Sequence, residues 1–119
     1  MSRVLVVDDE VEICLLVTQY LKKLGYDTSF CLSIAEAAEK IETASYDLLF
    51  VDLNLRDGSG YDLIKALHKS QKSTKVIVIS AYDSERQKAL QRGASFFLAK
   101  PFTKKSIDDS LQKINFLTK

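Results

Sequence analysis

The sequence predicts a doubly wound α/β fold built on five parallel strands. Three observations carry this. Apolar runs at 4–7, 48–51 and 76–79 are short, rich in Val, Leu and Ile, and end abruptly in Asp8, Asp52 and Ser80. Such runs fit strands covered on both faces. Stretches with helical spacing separate them, so strands and helices alternate five times. The remaining reactive side chains also fall at strand ends, where an open sheet of this kind presents its crevice.

Taken in order, residues 4–7 form the first strand. Ile13, Leu16, Val17, Tyr20, Leu21 and Leu24 repeat at helical spacing as an inner stripe, and Gly25 stops that helix. Residues 26–32 read as a weaker, more polar strand, hence an edge. Ser33 and Glu36 form a capping box for a helix that turns Ile34, Ala37, Ala38 and Ile41 inward. Residues 48–52 are the central strand, which runs into Asp52. The turn Leu53 to Gly60 follows, then a short helix with Leu63, Ile64 and Leu67. Residues 76–79 lead to Ser80. A helix from about 83 to 92 ends at Gly93, and the fifth strand, 94–99, ends in Lys100-Pro101. Phe102 and Ile107 staple an N-cap at Thr103, and Ile107, Leu111 and Ile114 face inward from the last helix.

The chain of 119 residues reads as one domain over its whole length, 1–119, without linker, repeat or low-complexity tail. A domain of this size buries about two-thirds of its unfolded surface. It is 46% hydrophobic and 28% charged, as a globular domain is, and its net charge of +1 provides no field for nucleic acid or a membrane. Cys14 and Cys31 have no metal-ligand spacing and read as core residues in a reducing compartment. No signal peptide or membrane-length apolar stretch is visible, so the expected location is cytoplasmic.

With five strands, the flavodoxin-like order 2-1-3-4-5 is favoured over a truncated dinucleotide-binding sheet. That order gathers Asp8, Asp9 and Asp52 at its switch point. Three carboxylates there repel one another and call for a divalent cation with oxygen ligands, for which Mg²⁺ is suited. Ser80 and Lys100 are placed to meet a phosphoryl group. Asp8-Asp9-Glu10 replaces the glycines that a nucleotide- or flavin-binding turn presents, which argues against those ligands. Taken singly, Asp9 reads as a helix cap and Lys100 as a solvated lysine. His68 has polar neighbours, Lys69, Ser70 and Gln71, and reads as an exposed helix end. Lys104, Lys105 and Lys119 read as a solvated face.

Together, Asp8-Asp9, Asp52, Ser80 and Lys100-Pro101 resemble the receiver (CheY-like) domain of two-component response regulators, over essentially the whole chain. The resemblance implies that Asp52 is the phosphoacceptor for a histidine kinase or histidine phosphotransfer protein. It implies that Asp8, Asp9, Asp52 and the Asn54 carbonyl hold Mg²⁺, with Glu10 as a supporting acid. Ser80 and Lys100 would contact the phosphoryl group, Phe97 would be the aromatic switch, and Pro101 would follow a cis bond. The expected output is a changed surface on the fourth helix, fifth strand and fifth helix. That surface would meet a downstream protein target or an output domain outside this chain, or form a phosphorylation-dependent dimer. Such a receiver catalyses its own phosphorylation and dephosphorylation and is not a conventional turnover enzyme. Direct binding to nucleic acid or membrane is not expected.

Three departures from the family pattern matter. Phe97 stands where Tyr is common, so packing alone should hold it inward. Leu55 replaces a common Pro, which should loosen the turn after Asp52. Tyr82 and Asn54 lie two residues after Ser80 and Asp52, where the family tunes hydrolysis, and a bulky Tyr82 should slow it. Two other classes compete with this reading. A phosphohydrolase with an aspartyl nucleophile wants an acid where Asn54 stands. A pseudo-receiver that takes no phosphate would not need Asp8, Asp9, Asp52 and Lys100 intact.

Overall fold

A computed structural model describes residues 2–70 and 73–116. Gln71 and Lys119 therefore lie outside the described residues. The elements are β1 (Arg3–Val7), α1 (Val11–Lys23), β2 (Asp27–Cys31), α2 (Ile34–Thr43), β3 (Leu48–Asp52), α3 (Gly60–Lys69), β4 (Lys75–Ser80), α4 (Arg86–Gln91), β5 (Phe96–Ala99) and α5 (Lys104–Lys113). All five strands pair in parallel in the order β2-β1-β3-β4-β5, which is the expected flavodoxin-like order with β2 at an edge.

Strand alternation divides the core between the two faces of the sheet. Leu5, Val7, Leu49, Val51, Val76 and Val78 face α2, α3 and α4 in one cluster. Val4, Val6, Leu48, Phe50, Ile77 and Ile79 face α1 and α5 in the other. β3 is buried at every position, Asp52 included. Both cysteines are buried, Cys14 on the α1 side and Cys31 on the α2 side. Burial pushes each thiol up to about 12, so both are protonated and inert at neutral pH.

Three helices end in the same way. After α1, Gly25 adopts φ 99°, its N–H bonds the Lys22 carbonyl and the Tyr26 N–H bonds the Leu21 carbonyl. Gly93 ends α4 with the same pair of bonds, to Leu90 and Ala89. Asn115 ends α5 at φ 58°, with bonds to Gln112 and Leu111. This double bond pattern satisfies carbonyls that a helix end leaves free.

Some sequence expectations need correction. Leu16 is 38% exposed, and the buried residues of α1 are Cys14, Val17, Thr18 and Leu21. Thr18 is admitted because its hydroxyl donates to the Cys14 carbonyl, which hides its polarity. The Ser33 hydroxyl accepts from the Glu36 N–H, but the Glu36 carboxylate reaches Leu32 N rather than Ser33 N, so the box is not reciprocal. The reciprocal box lies instead at α5, between Thr103 and Ser106. β2 and β5 are shorter than read, because Tyr26 belongs to the helix-end motif and the Ala94 N–H bonds back to α4. The fourth helix opens as a 3₁₀ turn, Asp83–Glu85, and becomes α-helical only from Arg86 to Gln91.

Candidate functional site

Register brings the acids level. Val7 of β1 pairs with Val51 of β3, so the next residues, Asp8 and Asp52, leave the sheet side by side. Ser80 of β4 pairs with Ala99 of β5, so Lys100 emerges next to them, its N–H bonded to the Ser80 carbonyl at 2.8 Å. The Lys100-Pro101 bond is cis.

Carboxylate oxygens of Asp8, Asp9 and Asp52 lie within 4.8 Å of one another. Asp8 is fully buried and Asp52 is 5% exposed. Asp8 Oδ1 accepts from the Glu10 N–H at 2.9 Å, and Asp52 Oδ1 accepts from the Asn54 N–H at 3.1 Å. Lys100 supplies the countercharge. Its Nζ donates to Asp52 Oδ2 at 3.1 Å, lies 3.1 Å from Asp8 Oδ2 and reaches Glu10 Oε2 at 3.4 Å. Burial raises the Asp8 carboxyl above its usual range, with Asp52 adding to the effect and the Glu10 N–H and Lys100 opposing it. Burial also disfavours the charge on Lys100, but its bonds to Asp52 and Asp8 outweigh that and hold it firmly protonated.

That one countercharge is shared. Asp8 Oδ2 is buried 3.1 Å from the Lys100 ammonium, which also meets Asp52 and Glu10. One ammonium against the carboxylates of Asp8, Asp9 and Asp52 leaves the cluster short of positive charge, which points to a further cation. Three close carboxylates around a single ammonium fit an oxygen-ligated divalent ion such as Mg²⁺.

Ser80 is buried, and its hydroxyl accepts from the Tyr82 N–H at 3.0 Å. Tyr82 is 62% exposed. His68 is exposed at the end of α3, away from the acids, with its ring edge against Gly93. Phe97 lies inward, 2% exposed, but the expectation that packing alone holds it there is corrected. The Arg86 guanidinium carbon lies 4.8 Å from its ring centroid, and Arg86 is itself anchored on Asp83 at 2.8 Å. Leu55 does not loosen its turn either. It is 8% exposed and pairs with Gly58 in a two-residue ladder, so its side chain pins the turn to the core.

Two features have no local signal in the sequence. Asp57 accepts from the Ile34 N–H at 2.9 Å and the Ala35 N–H at 3.1 Å, tying the turn to the start of α2. These bonds lower its carboxyl. Tyr61 donates to Glu85 Oε2 at 3.1 Å across 24 residues of chain. Burial first, and then Glu85, push the Tyr61 phenol up to about 12.

The model of the response regulator receiver domain family matches residues 4–112. The chain belongs to that family. Over 114 residues the receiver is 35% identical to the sensory transduction protein LytT of Enterococcus faecalis, covering 92% of this chain and 46% of that protein. It is 29% identical to the chemotaxis protein CheY of Thermotoga maritima over 117 residues, 96% of this chain and 98% of CheY. The crystal structure of the response regulator TrrA of Thermotoga maritima, in complex with Mg²⁺–BeF, superposes with a TM-score of 0.86 at 29% identity, covering 96% of this receiver and 99% of TrrA. The receiver thus spans less than half of LytT and nearly all of CheY.

Receiver domains are signalling proteins of two-component systems rather than conventional enzymes, and phosphorylation-dependent switching is their general function. Phosphorylation on Asp and Mg²⁺ binding at an acidic pocket are features of the family, and this receiver presents an Asp cluster. Response regulators work with histidine kinases and output targets. Among the described residues, no helix is long and apolar enough to cross a membrane.

Proposed function

We propose that this receiver takes a phosphoryl group on Asp52 and uses it to reshape the surface formed by α4, β5 and α5. The single observation that supports this best is the cluster itself: three carboxylates within 4.8 Å, with Lys100 Nζ 3.1 Å from Asp52 Oδ2. An Asp52 carboxylate oxygen attacks phosphorus of a phosphohistidine on a histidine kinase or phosphotransfer protein. The P–N bond breaks, the imidazole keeps its electron pair and takes up a proton, and an acyl phosphate forms. Asp8, Asp9, Asp52 and the Asn54 carbonyl would hold Mg²⁺, which supplies charge neutralisation for the incoming phosphoryl oxygens. Lys100 is already in contact with Asp52 and pairs with the new phosphate. Ser80 donates to it from the end of β4, and water later hydrolyses the acyl phosphate, releasing inorganic phosphate and restoring the Asp52 carboxylate.

The output follows from that geometry. Drawing in Ser80 moves the loop after β4, and Phe97 repacks as Arg86 moves with the same segment. Parts of α4 and α5 then offer a changed face to a downstream protein target, an output domain or a second copy of the chain. The net charge of +1 gives no field for nucleic acid, no described helix is long and apolar enough to cross a membrane, and the reading places the receiver in the cytoplasm. Tyr82 shields the acyl phosphate from water, and Tyr82→Ala should hydrolyse faster.

Intact mass spectrometry tests the chemistry. The protein is incubated with Mg²⁺ and acetyl phosphate, beside an Asp52→Asn variant and an EDTA sample. The expected result is one phosphoryl adduct that requires both Asp52 and the metal. An adduct that persists in Asp52→Asn, or none with acetyl phosphate or a phosphorylated kinase, would overturn the assignment.

A further inference from the structure

Asp52 and Ser80 sit on neighbouring strands, and a second route joins their loops. Gly60 lies so close to the Asp52 backbone that an added Cβ would meet its carbonyl oxygen at 2.5 Å. The next residue, Tyr61, reaches from α3 to the segment after β4 and donates to Glu85 Oε2 at 3.1 Å. The Glu85 N–H bonds the Tyr82 carbonyl at 3.0 Å, and the Tyr82 N–H bonds Ser80 Oγ at 3.0 Å. A continuous set of contacts therefore runs from Asp52 through Tyr61 and Glu85 back to Ser80. Because Ser80 Oγ is tied to the backbone of its own loop, it moves when that loop moves.

Little else holds the segment. Among residues 83–91, Ala89 alone is buried, and neither the 3₁₀ turn nor α4 has a side-chain cap. Two rings carry further contacts: Lys88 Nζ lies 5.3 Å and the Arg92 guanidinium carbon 5.2 Å from the Tyr61 centroid, and the Arg86 guanidinium carbon 4.8 Å from that of Phe97. We propose that Tyr61 is a positioning residue of the switch: its hydrogen bond to Glu85 holds the Ser80–Glu85 loop in the unphosphorylated position. The bond opposes the approach of Ser80 to a phosphoryl group on Asp52, so the tether raises the threshold for activation. This inference rests on the assignment of Asp52 as phosphoacceptor.

Beryllofluoride, a tetrahedral mimic of a phosphoryl group on a carboxylate, tests both at once. Its apparent affinity is measured in saturating Mg²⁺ for the wild type, Tyr61→Phe, Glu85→Met, which leaves the hydroxyl no acceptor, and the double variant, with Asp52→Asn as the control. Tyr61→Phe keeps the ring and removes only the donor. Each single variant should bind beryllofluoride about two- to tenfold more tightly, the range a single net hydrogen bond supplies, and the double variant no more tightly than either. Mg²⁺ affinity without beryllofluoride should stay at the wild-type value, which a general loosening of the fold would not leave untouched. Unchanged or weakened binding in the single variants, or additive effects in the double, overturns the tether. A wild-type protein that binds Mg²⁺ but takes no beryllofluoride overturns the assignment of Asp52 and the tether with it.

Discussion

The loops after β3 and β4 leave adjacent strands at one edge of the sheet, yet they are held in opposite ways. The loop after β3 is fastened along its length. Leu53 and Leu55 are buried, a short ladder joins residues 54–55 to 58–59, Asp57 grips α2, and the Gly60 N–H returns to the Leu53 carbonyl. The loop after β4 is exposed from Ala81 to Ser84, and the helix it leads into buries one small residue. Its ties are polar and aromatic: Glu85 on Tyr61 and Arg86 on Phe97. The difference suits the two tasks. A reacting carboxylate needs a fixed position, whereas a responding segment needs low local stability and ties of modest strength.

Substitutions in the two loops should therefore differ in kind. The largest effect is expected for Leu55→Ala, which removes a buried anchor and should lower stability to denaturant by about 3 kcal/mol. A loss below about 1 kcal/mol would mean that the turn is not fastened through its core contact. Gly60→Ala comes next. The clash with the Asp52 carbonyl should lose about 2 kcal/mol and slow phosphorylation, because the strand end that carries the nucleophile must shift. Normal phosphorylation kinetics in a destabilised Gly60→Ala protein would separate the packing of Gly60 from the placement of Asp52.

Asp57→Ala should lower the unfolding midpoint by a few degrees, in a pH-dependent way. The native bonds from Ile34 and Ala35 hold the Asp57 carboxyl below its ordinary value of 3.8. A group lowered in the fold stabilises above its unfolded value and loses that contribution as pH falls through the folded one. The gap between wild type and variant should thus be full at neutral pH and close in acid. A gap independent of pH would remove the carboxylate from the explanation.

The smallest stability change belongs to the other loop. Arg86→Gln should cost no more than about 1 kcal/mol, since an exposed cation over a ring contributes little. It should nevertheless shift the ring resonances of Phe97 in an NMR spectrum of the unphosphorylated protein. Unshifted Phe97 resonances would show that core packing alone sets the ring, and the contrast between the two loops would lose one of its supports.

The elements and their order were legible because each has a local cause. β-branched apolar runs, Gly25 and Gly93 as helix stops, and Thr103 as a cap all act within a few residues of themselves. The gathering of Asp8, Asp52 and Lys100 was legible at one remove, since parallel strands in this order carry their ends to one edge. Tertiary structure decided the contacts between side chains far apart in the chain. Arg86 over Phe97, Asp57 on the start of α2, Tyr61 on Glu85 and Lys100 shared between Asp8 and Asp52 depend on how the elements sit against one another to within an ångström or two. Hydrophobic periodicity states which face of an element turns inward. Hydrogen bonds and cation–ring contacts depend on distance and direction between atoms that only the folded chain brings together, so no local pattern announces them.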